Sequence, residues 1–224
     1  DAVLGKVLIR TGGDAIDIKD MFVAIQGQTS MGAGLSSNGA SSSYDAINEI
    51  LEDVELRHTV TGETVSAVRL TGSSDFGTGT ATDATYQIYR FDDFEVEGDE
   101  TWELRVDFID NGAGVHPTSG DRFRLHICTE PVTENGSTNA TGCDFGGLGS
   151  FTTSTVTYNM TVEGLSTGDD VDDVRPGGTV SGNFHRIANP ELNIAVQSIG
   201  SSDTAVKNSK DINLLRFEAR AGEA

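Results

Sequence analysis

The residues of this chain best suited to chemistry are its carboxylates. Asp169-Asp170-Val171-Asp172-Asp173 is the densest acidic run, and Arg175-Pro176-Gly177-Gly178 follows it closely. Calcium takes six to eight oxygens, usually from Asp, Asn and carbonyl groups gathered in one loop. Asp169, Asp170, Asp172 and Asp173 offer several, so Ca2+ is the one metal the sequence suggests. The run has neither EF-hand spacing nor a bidentate Glu at the right offset, and a solvated acidic turn stands beside the calcium reading. Asp92, Asp93, Glu97, Asp99 and Glu100 make a second, looser cluster beside a strand turn.

Catalytic patterns do not assemble. His58, His116, His126 and His185 have no nucleophile at triad spacing. Gly147-Leu148-Gly149-Ser150 does not make the Gly-x-Ser-x-Gly elbow of a hydrolase. Gly77-Thr78-Gly79 is a turn, not a phosphate loop. The other carboxylates are scattered over strand faces and turns, so no acid–base pair is singled out. The expectation is a protein that is not an enzyme. An isopeptide crosslink would need a buried lysine, and nothing distinguishes Lys6, Lys19, Lys207 or Lys210 for that role.

Cys128 and Cys143 flank a polar segment rich in Asn, Gly, Thr and Ser. An even pair around a short loop reads as a disulfide in an oxidising compartment. A loop of this size contributes roughly 3 kcal/mol in the chain-entropy model. A zinc pair is the weaker alternative, because no second Cys or His pair sits at zinc spacing. Three N-x-S/T sequons, at Asn135, Asn139 and Asn159, are candidate glycosylation sites, although such triplets also arise by chance in a Thr-rich chain.

These groups sit in a chain of 224 residues with a formal net charge of −20. That charge repels nucleic acid and anionic membranes, so neither is an expected partner. No apolar run approaches the ~20 residues of a membrane-spanning helix. No leader-like segment follows Asp1, so a secreted form would be a processed chain or an internal piece. Apolar residues make up 36%, enough for a real core.

Period-two alternation sets the elements. Trp102, Leu104, Val106 and Phe108 share one strand face, with Glu103, Arg105 and Asp107 opposite. Phe123, Leu125 and Ile127 point inward, and Arg122, Arg124, His126 and Cys128 point outward, so a Cys128 bridge would pin a surface loop. From Phe151 to Val162, residues Val156, Tyr158, Met160 and Val162 face in, and Thr155, Thr157, Asn159 and Thr161 face out. Val54, Leu56 and Val60 belong to a strand that turns at Thr61-Gly62-Glu63 and returns through Thr64 to Leu70. Leu192, Ile194 and Val196 mark a further strand. Tyr44 to Asp53 fits a short helix or a direct run into the strand at Val54. Gly27 to Ser43 reads as a long loop. Many strands without alternating helices predict an all-β, antiparallel sandwich.

The two ends carry one more signal. Val3, Val7 and Ile9 lie in an opening strand, and Leu215, Phe217 and Ala219 alternate with Arg216, Glu218 and Arg220 in a closing one. Read head to tail, the two make strand, turn, strand. Asp211 to Ala221, Leu51 to Leu70 and Tyr89 to Phe108 together resemble the Ig-like β-sandwich modules of bacterial cell-surface, S-layer-like and fibre-forming proteins. The likeness covers about half the chain. It departs from those modules at Gly27 to Ser43, at Gly112 to Gly149 and in the cyclically shifted ends. It implies an Ig-like sandwich over 1–189, with 190–224 a linker and donated strand. Ile212, Leu214, Leu215, Phe217 and Ala219 would then complete a neighbour's Val3, Val7 and Ile9. The expected role is a structural subunit or repeat of an extracellular filament or surface layer, whose partners are other copies of itself. The alternative is a secreted Ca2+-dependent adhesin or carbohydrate-binding module, with its site at the Asp loops and Trp102.

Overall fold

The computed structural model describes residues 2–28, 47, 50–70, 76–77, 85–108, 120–131, 143, 145, 158–188, 190–197 and 216–223. The chain divides into two compact units, Asp1–Ile187 and Ala188–Ala224. In the first unit the strands are β1 Ala2–Arg10, β2 Ile16–Gln28, β3 Leu51–His58, β4 Thr64–Ser66, β5 Val68–Arg69, β6 Phe76–Gly77 and β7 Thr85–Phe91. They continue with β8 Phe94–Val96, β9 Asp99–Phe108, β10 Arg122–Cys128, β11 Thr161–Gly164, β12 Thr179–Ser181 and β13 His185–Arg186. The second unit holds β14 Pro190–Gln197 and β15 Arg216–Glu223. The fold is all-β, and the paired strands run antiparallel.

Two sheets enclose the core. One has the order β1-β9-β3-β4, and the other runs β12-β10-β2-β7-β5, with β11 and β8 on β2, β13 on β10 and β6 on β7. Leu4, Leu56, Trp102, Leu104 and Val106 from the first sheet pack against Met21, Val23, Ile25, Phe91, Phe123, Leu125 and Ile127 from the second. This is the sandwich core that the alternation of β9 and β10 predicts. Trp102 is buried there, beside Phe94 and His58, and its indole N–H donates to Glu100 Oε2 at 3.1 Å. Trp102 is thus part of the packed core.

β2 spans two sets of partners. Ile16 to Asp20 pairs with β8 and β11, and Met21 to Gln28 pairs with β7 and β10. The strand continues through Gly27 and Gln28, so the first two residues of the segment read as a loop are strand; 29–43 lie outside the described residues. Ile47 and Ile50 have helical backbone and buried side chains, and β3 begins at once with Leu51, so both readings of Tyr44 to Asp53 hold in part.

Three strand expectations need correction. Val60 is 85% exposed in the turn after β3, because the ladder ends at His58. The returning segment does not stay with β3. β4 pairs with it, but after Ala67 the chain crosses to the other sheet as β5 against β7. Ala67 N–H still donates to Val54 O at 2.8 Å, and Leu70 N–H already donates to Ile88 O at 3.1 Å. Of the strand expected over 151–162, the described part is strand from Thr161, with isolated bridges at Tyr158 and Met160; 151–157 lie outside the described residues.

The largest correction concerns the outer face of the second sheet. Cys128 and His126 are buried there, not exposed. A second apolar cluster of Ala24, Tyr86, Ile88, Cys128, Cys143, Phe145 and Tyr158 covers that face, with Phe22 and Leu70 at its margin. Its covering residues come from the chain between β10 and β11, a distant contribution that local alternation does not report.

Candidate assembly site

β1 lies at the border of its sheet. It pairs with β9 from Ala2↔Val106 to Arg10↔Asp99, and among the described residues no named strand pairs with its other side. A bulge between Val3 and Gly5 sets Leu4 and Gly5 together opposite Leu104. Gly5 is needed there: a Cβ would stand 2.3 Å from Leu125 Cδ2 of the facing sheet. Beyond the bulge, Val7 and Ile9 turn toward the core yet stay only half-buried, and Val3 and Leu8 face out at 37% and 50% exposure. The expected acceptor residues Val3, Val7 and Ile9 thus sit on one strand whose outer side is open among the described residues.

An apolar groove of about 280 Å3 runs beside that edge. Val7 and Ile9 form one wall, Met21, Ile127, Met160 and Val162 contribute the floor, and Val174, Pro176 and Val180 stand opposite. The far wall is tied to the end of β10: Thr129 donates to Gly178 O from its backbone N–H at 2.8 Å and from its hydroxyl at 2.9 Å. Beside β1, Lys6 pairs with Glu103 at 3.0 Å, and Arg105 pairs with the same carboxylate at 2.8 Å. Hydrogen bonds from Arg105 and Lys6 hold the Glu103 carboxyl below its ordinary pKa.

The predicted donor residues divide. Phe217 and Ala219 lie in β15, in register with Val196 and Ile194 of β14. Ile212, Leu214 and Leu215 lie outside the described residues. β14 and β15 form a two-stranded antiparallel sheet of their own, from Pro190↔Glu223 to Gln197↔Arg216. In this register Leu192, Ile194 and Val196 share a face with Ala221, Ala219 and Phe217.

Cys128 and Cys143 are joined in a disulfide across a sequence separation of 15. The pairing expected from spacing is present, but the bridge lies inside the second apolar cluster instead of on the surface. Asn159 is corrected in the same way. It is 6% exposed, and its Nδ2 donates to Pro131 O at 3.4 Å, so the exposed strand position assumed for that sequon does not exist. Asn135 and Asn139 lie outside the described residues.

The acidic runs are spread out. Asp169 O accepts from Gly164 N–H, Asp170 bridges to Glu163, and Asp173 pairs with Arg175 at 2.8 Å; Asp172 is exposed. Among the described residues no three His, Cys, Asp or Glu side chains converge as a metal site would require. In the second cluster, Asp92 pairs with Arg90 at 2.7 Å and Asp99 with Arg10 at 3.4 Å, and Glu100 Oε1 accepts Glu97 N–H at 2.9 Å. These carboxylates fasten strand ends.

Sequence reading missed a buried polar chain at the border of the second sheet. Gln26 Oε1 accepts from Arg124 Nε and stands 3.0 Å from His126 Nε2, and His126 Nδ1 is 2.7 Å from Ser181 Oγ. The Arg124 guanidinium stacks over Phe184 at 4.4 Å. Burial, helped by the Arg124 charge, lowers the His126 pKa to about 4. The chain ties β12 to β10 and β2. A lone His at an apparent surface position gave no sign of it. No protein-family model, curated protein or solved structure matches the chain.

Proposed function

We propose that the chain is a structural subunit or repeat of an extracellular filament or surface layer, held together by strand complementation between copies. The β14–β15 hairpin of one copy adds to the open side of β1 in the next. The observation that carries this reading is the β1 edge itself: among the described residues no strand pairs with its outer side, beside half-buried Val7 and Ile9. An exposed edge of this kind is a template for another chain unless charge or cover blunts it.

Two further observations support the reading. Among the described residues β14 and β15 form a sheet of two strands, and two strands by themselves are marginal in water. Charge is also unevenly shared. Residues 188–224 carry five acidic and four basic side chains, whereas the remainder carries 30 acidic and 11 basic. Like-charged sandwiches repel one another, and the near-neutral hairpin is the part that can approach a second copy. A disulfide fits an oxidising, extracellular setting.

Removing Ser209 to Ala224 tests the proposal. The truncated chain is expected to sediment as a monomer under conditions where the full chain forms particles visible by electron microscopy. Unchanged polymers from the truncated chain would refute strand complementation.

A further inference from the structure

We propose that the groove between β1 and β12 is a side-chain socket, and that its occupant is the apolar face of the β14–β15 hairpin of a second copy. This rests on the strand-complementation reading and adds to it: the incoming hairpin would be gripped by both sheets, not only by the β1 ladder.

The groove lies between two sheet borders. β1 ends the first sheet, and β12 ends the main order of the second, so the sandwich is open along this side among the described residues. The lining is apolar where it is deepest, at Met21, Ile127, Met160 and Val162. At about 280 Å3 the volume falls under the roughly 300–1,000 Å3 typical of small-molecule sites, and its charged lining residues, Arg10, Asp173 and Arg175, are solvent-exposed, with Asp173 and Arg175 paired to each other. Its size and chemistry suit apolar side chains.

The hairpin has matching properties. β14 and β15 are each 8 residues long, against 9 for β1. Their register gathers six apolar residues on one face, with Pro190 and Glu223 at its end, and leaves Glu191, Asn193, Arg220 and Glu218 on the other. A hairpin that presents an apolar face and near-neutral charge can enter an apolar slot on an otherwise acidic body, where a charged segment would be repelled.

Val180 separates the socket from the edge. It lines the groove from β12, stays half-buried, and takes no part in the β1 ladder. Val180→Asp should raise the concentration needed for assembly by at least about tenfold, since docking would bury an unpaired carboxylate. The monomer's unfolding curve reports whether the sandwich survives. A second measurement avoids the folding question. Copies carrying Val180→Cys are mixed with copies carrying Ala219→Cys under mild oxidation, with Val68→Cys on the distant β5 as the control partner.

Selective heterodimer formation with Val180→Cys is the expected result. Equal crosslinking to Val180→Cys and Val68→Cys, or none to either, overturns the socket. If Val180→Asp polymers persist while the Ser209 truncation abolishes them, the socket falls and edge pairing stands. If the truncated chain still polymerises, both fall.

Discussion

β9 and β10 carry the same alternation and meet opposite fates. Each has three or more large apolar residues on one face and charged or polar residues on the other, and in both the apolar face enters the shared core. The polar face of β9 stays at the surface, where Lys6, Glu103 and Arg105 form a cross-strand charge cluster. The polar face of β10 is covered. Cys128 lies in a cluster with Cys143, Phe145 and Tyr158, His126 is buried beside Gln26 and Ser181, and Arg122 and Arg124 lie beside Phe184. Alternation in a strand therefore reports which face meets the core first. It does not say that the other face meets water. That depends on segments far away in sequence, here the chain following β10.

The largest break in this comparison comes from removing the cover. Phe145 is among the most buried large side chains, and it stacks near Tyr158 with ring centroids 5.6 Å apart. Phe145→Ala should cost about 3–5 kcal/mol, as truncation of a core aromatic does. Glu103→Gln on the other strand's polar face should cost only a small fraction of that, because Glu103 is only half-buried and the amide keeps an oxygen for Lys6 and Arg105. Equal effects from the two substitutions, read from denaturant unfolding curves, would show that β10's outer layer is only a loose flap.

The same comparison marks how much could be read in the residues. The faces of Trp102–Leu104–Val106 and Phe123–Leu125–Ile127, the turn at Thr61–Glu63 and the Cys128–Cys143 pair were all legible, because each depends on local period, turn chemistry or short spacing. The burial of His126, Cys128 and Asn159 was not, because the atoms that cover them are remote in sequence. The crossing at Ala67 was legible only as an irregularity: the alternation of Thr64 to Leu70 breaks phase at Ala67–Val68, but only the β7 edge decides where its second half binds. For the assembly site, β1 and β15 could be read as strands. The groove could not, since its floor is shared by β2, β10 and β11.

A smaller effect comes from the bridge that fastens the cover. Opening the Cys128–Cys143 loop by substituting both residues with Ala should cost about 3 kcal/mol, the loop-closure entropy of a 15-residue ring. Proteolysis should reveal where the loss falls. The segment between β10 and β11 should become sensitive before the strands of the first sheet do. A free-thiol assay on unfolded, unreduced protein should find none, and two reactive thiols would contradict the bridge.

The finest test concerns His126, which separates a covered polar face from an open one by its titration. Arg124 cannot accept a hydrogen bond, so Gln26 must present its carbonyl oxygen to Arg124 Nε. The same oxygen faces His126 Nε2, which must therefore carry the proton, and in the neutral ring Nδ1 accepts from the Ser181 hydroxyl. Protonation at Nδ1 need not break this chain, because the serine can rotate and accept. What opposes it is burial of the charge, and then the neighbouring Arg124. The groups facing the ring, Gln26 on β2, Ser181 on β12 and Arg124 on β10, supply no carboxylate in return. The folded pKa of about 4 lies below the ordinary 6.5, so the unfolded chain binds the extra proton first. Stability from this site is thus fully present above 6.5 and is lost as pH falls toward 4, by about 2–3 kcal/mol. The many other carboxylates also titrate as pH falls, so the quantity to measure is the difference between the native chain and His126→Gln. That difference should change across this window and level off below it, with the His126 ring resonance titrating near 4. A flat difference curve, or a ring that titrates near 6.5, would place His126 in water and return β10's outer face to the surface.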